Sequence, residues 1–246
     1  MRRICLIVSY DGTNYCGWQK QPNGVTIEEV LNAAISSLTG ESIAVIGASR
    51  TDAGVHAYGN VAVFDTAMPM AEEKFAFAIN QRLPEDIRIQ ESFAVEEDWH
   101  PRKQNCVKTY TYRILNRRIS IPTERLYAHF CYYKLDVEKM REATGYFVGT
   151  HDFVSFCSQK TQALSTVRTV HSLEIEEDED MITIIIQGDG FLYNMIRIIA
   201  GTLLKIGLHV YPPEHIPEIF AARNRRLAGQ TMPAKGLTLV EISYLA

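Results

Sequence analysis

An arginine, a carboxylate and a glycine fall close together in Arg50-Thr51-Asp52-Ala53-Gly54, with Val55 and His56 next. A loop of this kind between two apolar strands holds charged side chains on rigid flanks, a common place for reactive groups. Gly54 permits a left-handed backbone just after Asp52. A carboxylate so held can serve as a nucleophile, or as a fixed charge beside a developing cation. Taken alone, the same residues also fit a plain β-loop-β connection with an Asx-turn at Asp52. His56, four residues on, suggests a metal pair with Asp52. No third ligand is in reach, so a surface or helix-start histidine is expected.

Arg197 is the second candidate. Around it Phe191, Leu192, Met195, Ile196, Ile198, Ile199, Leu203 and Leu204 cover nearly all sides of a helix. Such a helix is buried, and a buried guanidinium needs an anionic partner or a path for its head group to solvent. A partner Asp in a cleft would be held ionised by it. The third candidate is Lys108-Thr109-Tyr110-Thr111-Tyr112-Arg113, where two tyrosines share one strand face between basic residues. Tyrosines so placed can stack on a base that has left its helix, although strand-spaced aromatics also build cores. Arg102, Lys103, Arg117 and Arg118 lie nearby in sequence and suit phosphates, or simply the surface.

The elements that must position these residues follow from pattern. Ile4 to Val8 reads as a strand, and Thr26-x-x-Glu29 as a capping box opening a helix that Gly40 closes. Strands are expected at Ile43 to Ile46, Val61 to Phe64 and Ile87 to Phe93, with a helix near Met70 to Asn80. That order, β-α-β-β-α-β, is the split βαβ unit. The second half repeats it. A strand spans Val107 to Leu115, Asp136 caps a helix, and strands Val167 to Ile175 and Met181 to Gln187 flank an acidic turn. A long apolar helix from Leu192 to Ile206, a short one at Ile216 to Ala222 and a last strand at Leu237 to Ile242 complete it. The expected architecture is α+β: two ferredoxin-like domains with antiparallel sheets, residues 1–104 carrying the Asp52 loop and 105–246 carrying Tyr110 and Arg197.

With 246 residues and 46% hydrophobic content the chain can bury a proper core, and 22% charged residues are too few for a disordered polymer. No run approaches the length of a membrane span, and the start MRRICLIVSYDG is not a signal peptide. The five scattered cysteines form no metal-binding spacing and suit reduced thiols in a cytoplasmic protein.

The segments YDGTNYCGWQKQPNGVTIEEVL, SRTDAGVHAYGNVAVFDT, NQRLPEDI, KTYTYRI, HDFVSF, GFLYNMIRIIAGTLLKIG and AGQTMPAKGLTLVEISY together resemble the tRNA pseudouridine synthases of the TruA type. They follow the family's order and span nearly the whole chain. The resemblance implies a pseudouridine synthase fold and an isomerase that converts uridine to pseudouridine in the anticodon stem-loop of tRNA, at positions 38, 39 and 40. It implies that Asp52 is the nucleophile, that Arg197 pairs with and orients it, and that Tyr110 contacts the target base. Arg50 matches an arginine implicated in displacing that base. The family works in the cytoplasm as a homodimer on tRNA, with no cofactor and no metal. Arg102, Lys103 and Lys108 are candidates for the RNA backbone. Ser49 stands where glycine is usual, Asn60 where glutamine is common, and Pro101 departs from an alanine-arginine pattern. These touch no catalytic group and bear on which uridines are chosen.

A second reading is a tRNA-binding paralogue with an altered target or lost catalysis; intact Asp52, Arg197 and Tyr110 favour the enzyme. A metal-dependent hydrolase on Asp52 and His56 fails for want of ligands. Taken at face value, the formal charge of −4 argues against a nucleic-acid binder. Glu174, Glu176, Glu177, Asp178, Glu179 and Asp180 supply six negative charges in one stretch, and without them the balance moves to +2. The acidic turn is expected to face away from RNA and the basic stretch near Tyr110 to line it.

Overall fold

Alternating apolar residues make Arg2–Tyr10 a strand (β1) with Ile4, Leu6 and Val8 buried. Helix Ile27–Thr39 (α1) starts where Thr26 Oγ1 accepts from the Glu29 amide and stops at Gly40 in the left-handed region. It buries Ile27, Leu31, Ala34 and Ile35, which recur at i, i+4, i+7 and i+8 on one helical face. Strands Ile46–Gly47 (β2) and His56–Thr66 (β3), helix Lys74–Asn80 (α2) and strand Ile87–Val95 (β4) complete the first half. The computed structural model describes residues 1–158 and 164–245.

The strands of this half run β4-β1-β3-β2, each antiparallel to the next, the arrangement of a split βαβ unit. Phe64 from the sheet and Phe75 from α2 meet edge to face at 5.5 Å. Two elements differ from expectation. β2 pairs over two residues only, because the amides of Ile43 and Val45 donate instead to Ser36 Oγ (3.1 Å) and Asn32 Oδ1 (2.8 Å) of α1. α2 begins at Lys74 rather than near Met70.

In the second half, strands Cys106–Asn116 (β5) and His129–Cys131 (β6) precede helix Val137–Thr144 (α3), which Asp136 caps through the Lys139 amide at 3.1 Å. Strands Gly149–Asp152 (β7), Val167–Asp178 (β8) and Met181–Gly188 (β9) follow. The strands of this half run β5-β9-β8-β7, each antiparallel to the next, and β6 adds to β5 in parallel. The acidic residues expected in a turn lie mostly on β8; the reversal is at Glu179, with φ of 51°. Helices Met195–Gly207 (α4) and His215–Ala222 (α5) come next. α4 starts later than Leu192 because Asn194 adopts φ of 62°, outside the helical region. Eleven of its thirteen residues are buried; only Arg197 and Lys205 are not.

The last strand, Leu237–Tyr244 (β10), pairs in parallel with β3 through Thr238 opposite His56 and Leu239 opposite Ala57. The chain therefore divides into two compact units, Met1–Cys106 with Thr238–Ala246, and Val107–Leu237. A second domain running unbroken from 105 to 246 does not describe this division. The reason is local: β2 covers β3 only at Ala62 and Val63, so the start of β3 keeps a bonding edge that β10 takes.

Candidate active site

Asp52 sits half-buried on a turn closed by the Val55 amide donating to its carbonyl at 3.1 Å, with Gly54 at φ of 78°. Gly54 adopts the left-handed backbone that a glycine after Asp52 permits. Two backbone bonds tie this turn to the segment following β1: the Trp18 amide to Thr51 O (3.0 Å) and the Gly54 amide to Tyr15 O (3.2 Å). Gly17, at φ of 85°, lets the two backbones touch; a Cβ there would lie 2.6 Å from Thr51 O. Tyr15 is fixed in turn by donating to Asp86 at 2.5 Å. Burial and that carboxylate push the Tyr15 hydroxyl well up, so it stays protonated.

The other side of the loop is held by Asn60 of β3, which is fully buried. Its Nδ2 donates to Ser49 O (3.0 Å) and Tyr10 Oη (3.2 Å), and its Oδ1 accepts from the Ser49 amide (3.3 Å) and the Val61 amide (2.9 Å). Tyr10 Oη and Thr51 Oγ1 are also hydrogen-bonded at 2.7 Å. A buried amide with its donors and acceptors engaged locks the strand-to-loop corner. The two departures at positions 49 and 60 are thus direct partners. His56 is not the surface or helix-start residue expected from sequence. It is buried at the start of β3, where its Nδ1 accepts from the Gly12 amide at 3.1 Å and lies 3.1 Å from Asp11 Oδ1. Among the described residues no group of three His, Cys, Asp or Glu could hold a metal ion.

In the second unit Tyr110 is buried on β5 with its ring edge to face on Phe191, centroids 5.4 Å apart. Tyr112 is a core residue: fully buried, it donates to Pro233 O at 2.9 Å. Arg197, half-buried on α4, is oriented by the segment before β10. Its Nε donates to Met232 O (2.6 Å), its Nη1 to Asn194 Oδ1 (2.7 Å), and its carbonyl accepts from the Met232 amide (3.2 Å).

That segment is seated on α4 by small residues. A Cβ on Gly229 would lie 2.2 Å from the Gly201 carbonyl carbon, and one on Gly201 would lie 2.0 Å from Gln230 O. Thr202 Oγ1 accepts from the Gly229 amide (2.8 Å) while donating to Ile198 O (2.9 Å), and Arg225 clasps Gly229 O (2.8 Å) and Thr231 Oγ1 (3.1 Å). Sequence reading passed over Gly17, Thr202 and Gly229, whose work shows only when distant backbones meet. Thr202→Val keeps the shape but strands the Gly229 amide, at a cost of about 1–3 kcal/mol. Thermal unfolding should fall by several degrees; an unchanged Tm would show that this bond does not hold the segment.

The basic residues differ in their partners. Arg113 pairs with Glu124 at 3.2 Å, and Arg117 pairs with Asp180 of the acidic reversal at 3.2 Å. Expected as RNA-lining, Arg117 is tied to the acidic stretch meant to face away from RNA. Arg118, Arg50, Arg102 and Lys103 are exposed, and Lys108 is half-buried. No helix among the described residues is long and apolar enough to cross a membrane.

A family model described as tRNA pseudouridine synthase matches residues 6–102 and 143–245. A protein named tRNA pseudouridine synthase A from Acetivibrio thermocellus is 46% identical over 99% of this chain and 100% of its own length. One of the same name from Clostridium acetobutylicum matches equally, at 46% over the same shares. A protein named tRNA pseudouridine synthase A 2 from Clostridium perfringens is 44% identical over 99% of this chain and all of its own.

Proposed function

Since the chain belongs to the tRNA pseudouridine synthase family, and so is an isomerase turning uridine into pseudouridine in tRNA, we propose that its targets are uridines 38, 39 and 40 of the anticodon stem-loop and that Asp52 is its nucleophile. One observation carries the assignment of Asp52: it stands on a turn braced from both sides, by the Gly17–Tyr15 segment and by Asn60. Such bracing fixes a reactive carboxylate before substrate arrives.

The reaction breaks the bond between N1 and the ribose, turns the uracil, and joins C5 to the same carbon. C5 loses a proton and N1 gains one, so nothing is consumed. Asp52 takes up the electron-poor centre while the bond is broken. Arg197 pairs with Asp52 and keeps it ionised, in keeping with a guanidinium whose direction is set by Met232 O and Asn194 Oδ1. Tyr110, braced by Phe191, walls the pocket that keeps the freed uracil from water. Arg50 acts in displacing the base from its stack, and Arg102, Lys103 and Lys108 meet backbone phosphates.

The enzyme works as a cytoplasmic homodimer in this reading, supported by its resemblance to the family and by five cysteines that are all unbridged thiols. Unmodified tRNA transcripts incubated with the protein should gain pseudouridine at positions 38–40, mapped by carbodiimide-blocked primer extension. New stops elsewhere in the tRNA would overturn the target, and no stops at all would favour a paralogue that only binds.

A further inference from the structure

We propose that Arg50, alongside its part in displacing the base, forms with Arg102 one anion site that grips a single backbone phosphate of the RNA beside the target uridine. This rests on the chain acting on tRNA, and adds to it a specific contact. Arg102 is delivered to the catalytic loop from 55 residues away, where its Nε donates to Gly47 O at 2.7 Å. Its own turn is anchored. Tyr244 packs its ring edge on Trp99 at 5.0 Å and donates to Pro101 O at 3.0 Å, the Arg102 amide donates to His100 Nδ1 at 3.1 Å, and the Leu245 amide bonds Asn105 O at 3.0 Å. A guanidinium with its Nε used up and its backbone pinned presents its two terminal nitrogens in a set direction.

Gly47 is only three residues before Arg50, so the bond to its carbonyl brings Arg102 near a second positive charge. Partial burial of its guanidinium against Gly47, and after it the nearby charge of Arg50, lowers the Arg102 pKa although the residue as a whole is exposed. Glu28 pulls the other way but is engaged, its Oε2 accepting from the Lys20 amide at 2.7 Å. Neither arginine has a carboxylate within ion-pairing distance among the described residues. Two guanidiniums held near each other without a counterion repel, and an oxyanion with two free oxygens relieves both at once. Arg50 is two residues from Asp52, so their Cα atoms are no more than about 7 Å apart. The phosphate gripped there belongs to the target nucleotide or to an immediate neighbour.

The test uses the full-length protein and an unmodified anticodon-arm hairpin in which one phosphate at a time is replaced by a neutral methylphosphonate. Arg50→Gln and Arg102→Gln should each weaken binding about tenfold, and the double variant little more than either. One methylphosphonate position should cost the wild type as much as the double variant loses, and on that hairpin both single variants should bind like wild type. Losses that add, or that vanish on two different hairpins or on none, overturn the shared site. If Arg102→Gln does not fold, Arg102→Lys replaces it, since a lysine cannot span Gly47 and a phosphate together; its loss should vanish on the same hairpin as that of Arg50→Gln. Pseudouridine formation by the wild type is read on the unsubstituted hairpin. Its absence would sink the enzymatic reading, whereas its presence with separate phosphates sinks only the clamp.

Discussion

Asp52→Asn should lower the rate of pseudouridine formation by about 10⁴-fold or more, the scale seen when a nucleophile is removed from a preorganised site. The substitution is isosteric, and the turn is closed by the backbone of Asp52, whose carbonyl accepts from Val55, so the loop keeps its form. Tm should fall by a few degrees at most, since Arg197 loses its anionic partner but keeps its bonds to Met232 O and Asn194 Oδ1, and hairpin affinity should stay within a few-fold, because the arginines assigned to the phosphate are untouched. Single-turnover assays on unmodified transcripts, with binding measured in parallel, separate the terms. Equal rates for variant and wild type would sink the nucleophile. A variant that binds RNA poorly would mean instead that Asp52 serves RNA recognition.

Asp52 and Gly54 were legible in sequence because the chemistry and the turn that bears it occupy one short stretch. So was α1, whose cap, stripe and terminator are local signals: Thr26, the spacing from Ile27 to Ile35, and Gly40. What stayed hidden depends on partners far along the chain. Ile43 to Ile46 reads as a strand, yet Ser36 and Asn32 capture its amides and leave β2 two residues long. That shortening leaves the start of β3 open for β10, which moves the end of the chain to the first unit. His56 looked like an exposed residue because nothing nearby in sequence says that Gly12 and Asp11 close over it. The basic stretch looked continuous because pairing of Arg117 with Asp180 requires the β8–β9 reversal to return beside β5. The same logic applies to Asn60. Its departure from the family's usual glutamine was visible, but the clasp on Ser49, the other departure, was not.

Gly17→Ala and Gly40→Ala should separate backbone strain from loss of the site. Both glycines have positive φ, 85° and 74°, so an alanine at either costs roughly 1–2 kcal/mol of conformational strain. Around Gly40 nothing lies within 4 Å of an added Cβ, so strain is the whole effect there. Its Tm should fall by only a few degrees, with catalysis unchanged. At Gly17 the Cβ would meet Thr51 O at 2.6 Å, Ala53 N at 3.1 Å and the Asp52 carbonyl carbon at 3.1 Å, all backbone atoms that no side-chain rotation relieves. The loop must back away, stretching the 3.0 Å bond from the Trp18 amide to Thr51 O and carrying Asp52 with it. A shift of about 1 Å in a reacting group costs on the order of 100-fold. Gly17→Ala should therefore lose about 100-fold or more in kcat, with KM little changed. It should also be destabilised by roughly 2–4 kcal/mol, more than Gly40→Ala. Calorimetry and steady-state kinetics on the pair decide it. If both variants lose the same stability and neither loses kcat, the close approach of Gly17 does not position Asp52, and the brace must lie with Asn60 alone.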